Sequence, residues 1–582
     1  MVTGNSRRKS VAARLISAAL FVIAAGLGAP QIGYAQDTTT ASSVTPENFA
    51  PPLQKLNGAI VFSGATGSQA PAGAEKIGIT LSDVNLQGGL PQMAEANARL
   101  SEKLTNGRVA VSDLFNEVAA LEEAYANAGY VLARIVLPQQ SLRDGGVLRV
   151  AVVDGFVETV DTTAAPPEIQ KRIDRLTAPL VNRKGITLRQ LERQLLLAGD
   201  TAGVALGSAL GQGNLPGGTV LTLEPEYKKI TGFVGFDNNI TDSLGNFNLS
   251  AGVEFNSPFG FGETFYARAS GSPSDYFGSD PQYRVLAGGF ILPIGGDGLA
   301  LNGEITSSDT TPDDVLSPTR SNFDRQSLRL IYPFVRSRQV NVTTQFSIDR
   351  QHDSQDLIAG GGTTPIYDDK ITALRLSGSL SYIHDDGAFS DVGAVLSRGV
   401  DALGARTLDD VGAGTPLSRQ GADAKFTKLS LSGYHQRSLS DSIVLSITGR
   451  AQMSFGDPLL TSEQFGLSGA RELSGFEPGE LRGDSGWLIR AEVAHNTKTT
   501  FGETPVLLSP YAFVAVGGVS IEQPTVVERD NEGAHSFGVG LDLFSQTESR
   551  FRASSLRVEV ARGERDNGSD NTRFSISGNF RF

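Results

Sequence analysis

The sequence has no cysteine among its 582 residues. That excludes a disulfide framework and any thiolate metal site or thiol nucleophile. Histidine is scarce too: His352, His384, His435, His495 and His535 are scattered through strand-like segments. No two of them stand at zinc-ligand spacing, and no glycine-rich loop follows a strand and opens a helix, so neither a metal nor a cofactor is indicated. Positive charge is in deficit. The 50 Lys and Arg face 63 Asp and Glu, a formal charge of −13. Residues 1–35 carry Arg7, Arg8, Lys9 and Arg14 and no acid, so their removal takes the charge to −17. An acidic chain argues against nucleic acid as the partner. Beyond the N-terminal region no window of about 18 consecutive apolar residues occurs, so no transmembrane helix is expected in the mature chain.

What is present begins with an export signal over residues 1–35. Arg7-Arg8-Lys9 precedes the apolar run Leu15–Leu27, and Gly33-Tyr34-Ala35 supplies small residues for cleavage. Residues 36–74 read as a linker rich in Thr, Ser, Ala and Pro, with a short helix opening at Thr45 and stopped by Pro51-Pro52.

Residues 75–162 follow a β-α-α-β-β order. Ile77–Leu81 is a strand and Met93–Leu104 a helix. Ser112 caps a second helix with Leu114, Val118, Leu121 and Tyr125 on one face, and Gly129 ends it. Val131–Leu137 and Val147–Val153 are strands about a turn at Asp144-Gly-Gly146. Residues 163–227 repeat the plan in smaller form: a helix from Pro167, a capping box Thr187-Leu-Arg-Gln190 opening the next, and a strand from Gly218. The fold class is thus α+β modules followed by something different.

From residue 228 to 582 the period becomes two. Leu374, Leu376, Gly378, Leu380 and Tyr382 oppose Arg375, Ser377, Ser379 and Ser381. Leu445, Ile447, Gly449 and Ala451 oppose Ser446, Thr448, Arg450 and Gln452. Phe574, Ile576, Phe580 and Phe582 oppose Ser575, Ser577, Asn579 and Arg581. Such strands need one apolar and one polar environment. A soluble sandwich offers that as well, but the Gly- and Ser-rich polar faces and the unbroken series of hairpins favour a membrane barrel. The chain ends on an aromatic residue, and Phe580 and Phe582 are candidate assembly signals.

One stretch departs from this pattern. Phe465 to Trp487 holds six glycines and one proline, yet keeps Leu467, Leu473 and Phe476 at intervals. A free solvent loop has no need of those, so we expect a long loop folded back into an enclosed space.

These segments resemble the two-partner secretion outer-membrane transporters, the haemolysin secretion/activation type within the BamA-like superfamily. Gly129-Tyr130-Val-Leu-Ala-Arg134-Ile-Val-Leu-Pro138-Gln139 and Gly146 to Gly155 resemble the first polypeptide-transport-associated (POTRA) domain of that family. Leu195 to Val204 resembles a helix end in the second. Phe236-Asp-Asn-Asn, Asn256-Ser-Pro-Phe-Gly-Phe-Gly-Glu263, Leu292-Pro293 and Leu330-Ile-Tyr-Pro333 resemble its barrel hairpins. The resemblance covers residues 75–582. It implies two periplasmic POTRA domains (75–162 and 163–227) and a 16-stranded antiparallel barrel (228–582) with a loop in its lumen. It also implies an unfolded, exported adhesin- or haemolysin-like protein as client, with outer-membrane lipid and the barrel-assembly machinery as further partners. A barrel-assembly or insertase protein of the same superfamily is the alternative, and a solute porin is a third.

Site residues follow. Tyr130, Arg134 and Gln139 lie where an extended client could add as a strand, although Tyr130 could equally pack the domain core. The resemblance places a lumen-loop motif at Leu467, Gly469, Leu473, Ser474, Gly475 and Phe476, and its wall partner strand at Phe513, Ala515 and Gly517. In the family the loop reads Val-Arg-Gly-Tyr or Val-Arg-Gly-Phe, and its Arg pairs with a wall Asp. Here Ser474 and Ala515 stand in those two places. The expectation is therefore a loop held by Leu473 and Phe476 packing and by hydrogen bonds of Ser474. The competing expectation is that Arg471 or Arg482 takes over the lost charge.

Other motifs carry less. Gly483-Asp-Ser-Gly486 matches a protease nucleophile segment without a positioned triad, Arg482-Gly-Asp484 is a chance tripeptide, and no enzyme is expected. Asp368-Asp369-Lys370 and Asp385-Asp386-Gly387 read as turns.

Overall fold

The computed structural model describes residues 40–52, 61–62, 70–313, 317–359, 361–526, 528–546, 551–566, 568 and 570–582. The export signal lies outside the described residues, as does much of the linker.

The first module forms because one helix face is apolar. In the helix Val111–Asn127, Leu114, Val118, Leu121 and Tyr125 are all buried. The helix begins one residue before Ser112, and its N-cap is Ala110 without a side-chain bond, so Ser112 is not the cap. Gly129, at φ +93°, ends the helix by adopting the left-handed region. The four strands are ordered Arg108–Ala110, Gly78–Gln87, Gly146–Val153, Arg134–Val136, with the central two parallel. Arg134–Val136, shorter than expected, is an edge strand.

The second module starts earlier than the sequence suggested. Phe156–Asp161 pairs in parallel with Gly218–Tyr227, which in turn pairs antiparallel with Val204–Gln212. The division therefore falls near Asp154–Gly155 rather than after residue 162. The capping box is present: Gln190 N donates to Thr187 Oγ1 (3.4 Å), and Thr187 N donates to Gln190 Oε1 (3.1 Å). The outer edge of Val204–Gln212 is covered by the chain itself, since Val61–Phe62 pairs with Ala209–Leu210 in parallel.

The barrel runs from Ile230–Asp237 to Asn571–Arg581. Each wall strand pairs antiparallel with its sequence neighbour, and the last pairs with the first from Ser577↔Asp237 to Arg581↔Phe233. Ser485–His495 and Thr497–Phe501 both pair with Thr504–Ser520 and form one interrupted strand, so the wall has sixteen. Its outer face is apolar and exposed, as at Leu328, Leu330, Phe334, Phe346, Leu376 and Leu380, while Arg325, Arg329, Asp349 and Gln351 are buried inward. That is the reverse of a soluble fold and fits a wall standing in lipid. The wall is uneven in height. Thr319–Arg336, Val340–Ala359 and Gly362–Ile383 have 18, 20 and 22 residues, whereas Ile230–Asp237 and Thr264–Gly271 have 8. Asp368-Asp369-Lys370 lies within one of these tall strands and is not a turn.

Candidate functional site

The lumen is occupied by two pieces of the same chain. The first is the loop between Ile443–Met453 and Ser485–His495, which doubles back through a two-pair ladder, Phe465↔Gly483 and Gly466↔Arg482. Leu467, Leu473 and Phe476 are fully buried against wall residues Leu488, Tyr511, Phe513 and Ala515. Glycine is required where loop and wall meet. Gly475 N donates to Ser536 Oγ (3.0 Å), and a Cβ on Gly475 would lie 2.3 Å from the Gly563 nitrogen. A Cβ on Gly563 would in turn lie 2.6 Å from the Phe476 ring. Gly517 faces Leu467 in the same way, at 3.0 Å. Gly469 accepts from Glu472 N in a tight turn.

The loop tip ends in a charged cluster that belongs to the wall. The Ser474 hydroxyl donates to the Glu559 carboxylate and accepts from Arg490 Nη1 (3.0 Å). Arg490 Nη2 lies 2.7 Å from Glu559 Oε2, and the Tyr511 hydroxyl donates to the same oxygen at 2.7 Å. The Arg490 guanidinium sits 3.5 Å from the centroid of Phe513, and its direct cross-strand partner is Ala515. The cation at the loop tip is thus Arg490 of the wall. Arg471 lines a cavity with Asp542 and Arg557, and Arg482 lines another between the loop, the N-terminal segment and the wall.

Further along, the loop supplies acids to cations of the wall and of the connection that carries Arg419. Glu463 pairs with Arg375 (2.6 Å) and Lys428 (2.8 Å), Glu472 with Arg450, Glu480 with Arg565, and Asp484 with Arg419 (2.6 Å). Sequence reasoning missed Arg490, Glu559 and these cations. The available signal was a lone Arg or Lys recurring on the polar face of successive strands.

The second piece is the N-terminal segment. Its helix is Ala41–Val44, ahead of the Thr45 start expected from the sequence, and it lies inside the barrel rather than in a linker. Ala41 N donates to Ser321 Oγ (3.2 Å), Ser42 Oγ to Asp353 (2.6 Å) and Phe49 N to Glu304 (3.0 Å). Arg325 donates to the Pro46 carbonyl (2.8 Å) and Arg329 to that of Glu47 (3.4 Å). Between this segment, the loop and the wall remains a cavity of about 490 Å³.

At the module end of the barrel the second module grips the short turns. Arg193 donates to the Pro333 (2.9 Å) and Asp297 (3.1 Å) carbonyls, and Arg172 to that of Gly295. Arg336 holds Asp200 with two bonds (2.6 and 2.8 Å). Burial pushes the Asp200 carboxyl up, against the pull of Arg336. Lys229, 2.5 Å from Glu168, holds that carboxyl below its ordinary value.

The remaining expected residues are spread out. Tyr130 is partly buried against the first module's core, 6.2 Å from Tyr125 between ring centroids. Arg134 bonds the carbonyls of Val131 and Ala133, and Gln139 is exposed just beyond the edge strand. Phe580 stacks on Phe236 at 6.3 Å across the closing seam, and Phe582 exchanges backbone bonds with Gly232 (3.1 and 3.2 Å).

Comparison with known proteins agrees with this geometry. The haemolysin secretion/activation protein model (ShlB/FhaC/HecB) matches residues 217–543, and a ShlB-type POTRA domain matches 79–155. The outer membrane transporter CdiB of Escherichia coli O6:K15:H31 is 25% identical over 434 residues, covering 73% of this chain and 70% of its own. The heme/hemopexin transporter protein HuxB of Haemophilus influenzae is 23% identical, covering 68% of each. Among solved structures, CdiB from Escherichia coli superposes with a TM-score of 0.67 at 21% identity, covering 88% of this chain and 92% of its own. CdiB from Acinetobacter baumannii gives 0.60 at 16% identity over all of both chains. These structures share the fold. Since the family match spans more than half of the sequence, the chain belongs to the haemolysin secretion/activation protein family ShlB/FhaC/HecB.

Proposed function

We propose that this protein stands in the outer membrane, takes an unfolded exported partner from the periplasm and passes it through its barrel to the cell surface. One observation carries the reading: the lumen is filled by two segments of the chain, the N-terminal one held by polar contacts and the loop by polar contacts and a buried apolar cluster, and α/β modules are fastened to its mouth. Polar contacts exchange with water or with another peptide at little net cost, because each broken bond can be remade. The client is a large secreted protein, as the family description suggests. The edge strand Arg134–Val136, with Tyr130, Arg134 and Gln139 around it, is the capture site by strand addition. ATP is absent beyond the inner membrane, so folding of the client outside supplies the drive.

Depletion of the protein from its host, followed by quantitative comparison of surface, medium and periplasm, tests this. One large exported protein should leave the surface while other outer-membrane barrels keep their levels. Loss of many barrels together would instead mark an assembly protein, and unchanged export with altered solute uptake a porin.

A further inference from the structure

The whole chain is acidic, at −13, yet the lining of one lumen cavity is net positive. The cavity of about 490 Å³ is lined by Arg325, Arg329, Arg375, Lys428, Arg450 and Arg482. Facing these six cations are four carboxylates: Glu47, Asp349, Glu463 and Glu472. Three of the four belong to the inserted segments rather than to the wall. Glu47 comes with the N-terminal piece, and Glu463 and Glu472 with the loop. The wall's own lining is therefore five cations against Asp349, with the buried wall residue Glu304 behind them holding Arg329 (3.1 Å) and Arg325 (3.6 Å). Two further lumen cavities add Arg268, Arg471 and Arg557, of which Arg268 is paired with Glu254 and Arg557 with Glu492, Asp542 and Glu559.

A cation held in a narrow, partly dry channel is costly without a counter-charge. With both segments in place that cost is largely met. When residues 40–50 leave, the main cavity goes from six against four to six against three. Any shift of the loop releases Lys428 and Arg450 and leaves Arg375 with Asp349 alone. Whatever next occupies the lumen replaces those lost acceptors.

We propose that the segment of the client which enters the barrel carries net negative charge, and that its carboxylates take over the cations released by Glu463 and Glu472. The barrel thus selects an acidic, extended polypeptide, and the inserted segments are its acidic stand-ins. This rests on the translocator reading, but its test reads the pore alone, so the two fail separately: the depletion experiment decides export, and the following decides charge.

The probes are two 12-residue peptides of Gly and Ser, one with six Glu and one with six Lys. Each is added to the full-length protein in planar bilayers, and to the same chain lacking residues 40–50. The Glu peptide should halve the current at a concentration at least about tenfold lower than the Lys peptide, and rising salt should close the gap. The gap should be wider in the shortened chain. In the Arg329→Gln/Arg450→Gln variant, checked for folding by its heat-dependent gel mobility, it should narrow. If that variant does not fold, the reversal potential of the unaltered pore under a KCl gradient serves instead, and should show anion preference. Equal block by both peptides, better block by the Lys peptide, no block of either chain, or a cation-selective pore would each overturn the proposal.

Discussion

Ser474 sits at the tip of a buried loop and carries no charge, yet it contacts both members of an ion pair. Arg490 and Glu559 are 69 residues apart in sequence and meet only through the wall. Glu559 also holds Arg557 (3.0 Å) and Arg490 also reaches Glu492 (3.1 Å), so removing one partner weakens a buried network without leaving a lone charge. The arrangement predicts that the cation can move from wall to loop. Ser474→Arg alone crowds Arg490, and Arg490→Ser alone leaves Glu559 short of its closest guanidinium. Together they should restore the pair, with a coupling of about 1–3 kcal/mol read from thermal unfolding of the folded barrel. Additive losses would show that the two positions do not share Glu559. The absence of the family's Arg and Asp was visible in the sequence at Ser474 and Ala515. The replacement was not, because no local pattern links residue 490 to residue 559.

At the scale of elements, what alternates is legible and what merely connects is not. The two-faced segments around Leu374, Leu445 and Phe574 are strands as read, because lipid and lumen impose period two on each. Asp368-Asp369-Lys370 misled because the tall strands rise past the bilayer, where neither face need be apolar. Thr40–Ala50 reads as linker because its polar residues make sense only against Arg325 and Arg329, which the sequence places far away. Phe156–Asp161 was assigned to the wrong module because a strand in a parallel pair shows no turn to its partner. The contact between second module and barrel makes a prediction from charge. The Glu168 carboxyl has a folded-state pKa below its unfolded value, owing chiefly to Lys229. Its contribution is therefore present above the unfolded pKa, about 4.3, and lost as pH falls through the lowered folded value. Hydrogen exchange in the Ser257–Glu263 turn, whose Ser257 bonds the Glu168 carbonyl (2.8 Å), should quicken across that window. In Glu168→Gln the exchange at neutral pH should already be faster, and that part of the acid response should vanish. An identical pH profile in the two proteins would remove Glu168 from the account.

The molecule as a whole is a ring closed by its own last residues. Phe582 exchanges backbone bonds with Gly232, and the glycine leaves room for its ring, since a Cβ there would stand 2.7 Å from it. Phe582→Ser should therefore lower the amount of folded barrel severalfold, and Gly232→Val should do the same from the other side of the seam. Normal barrel levels with lost export would place Phe582 in transport instead of assembly.

The segment Thr40–Ala50 is among the earliest parts of the chain, and its position is defined by residues on several walls, from Tyr283 to Asp353. Those walls enclose a space only once Asn571–Arg581 has met Ile230–Asp237. Yet the segment's partners Tyr283, Glu304, Ser321, Arg325, Arg329 and Asp353 stand on four consecutive strands, none of them a strand of the seam, so the stopper can be drawn while the ring stays shut.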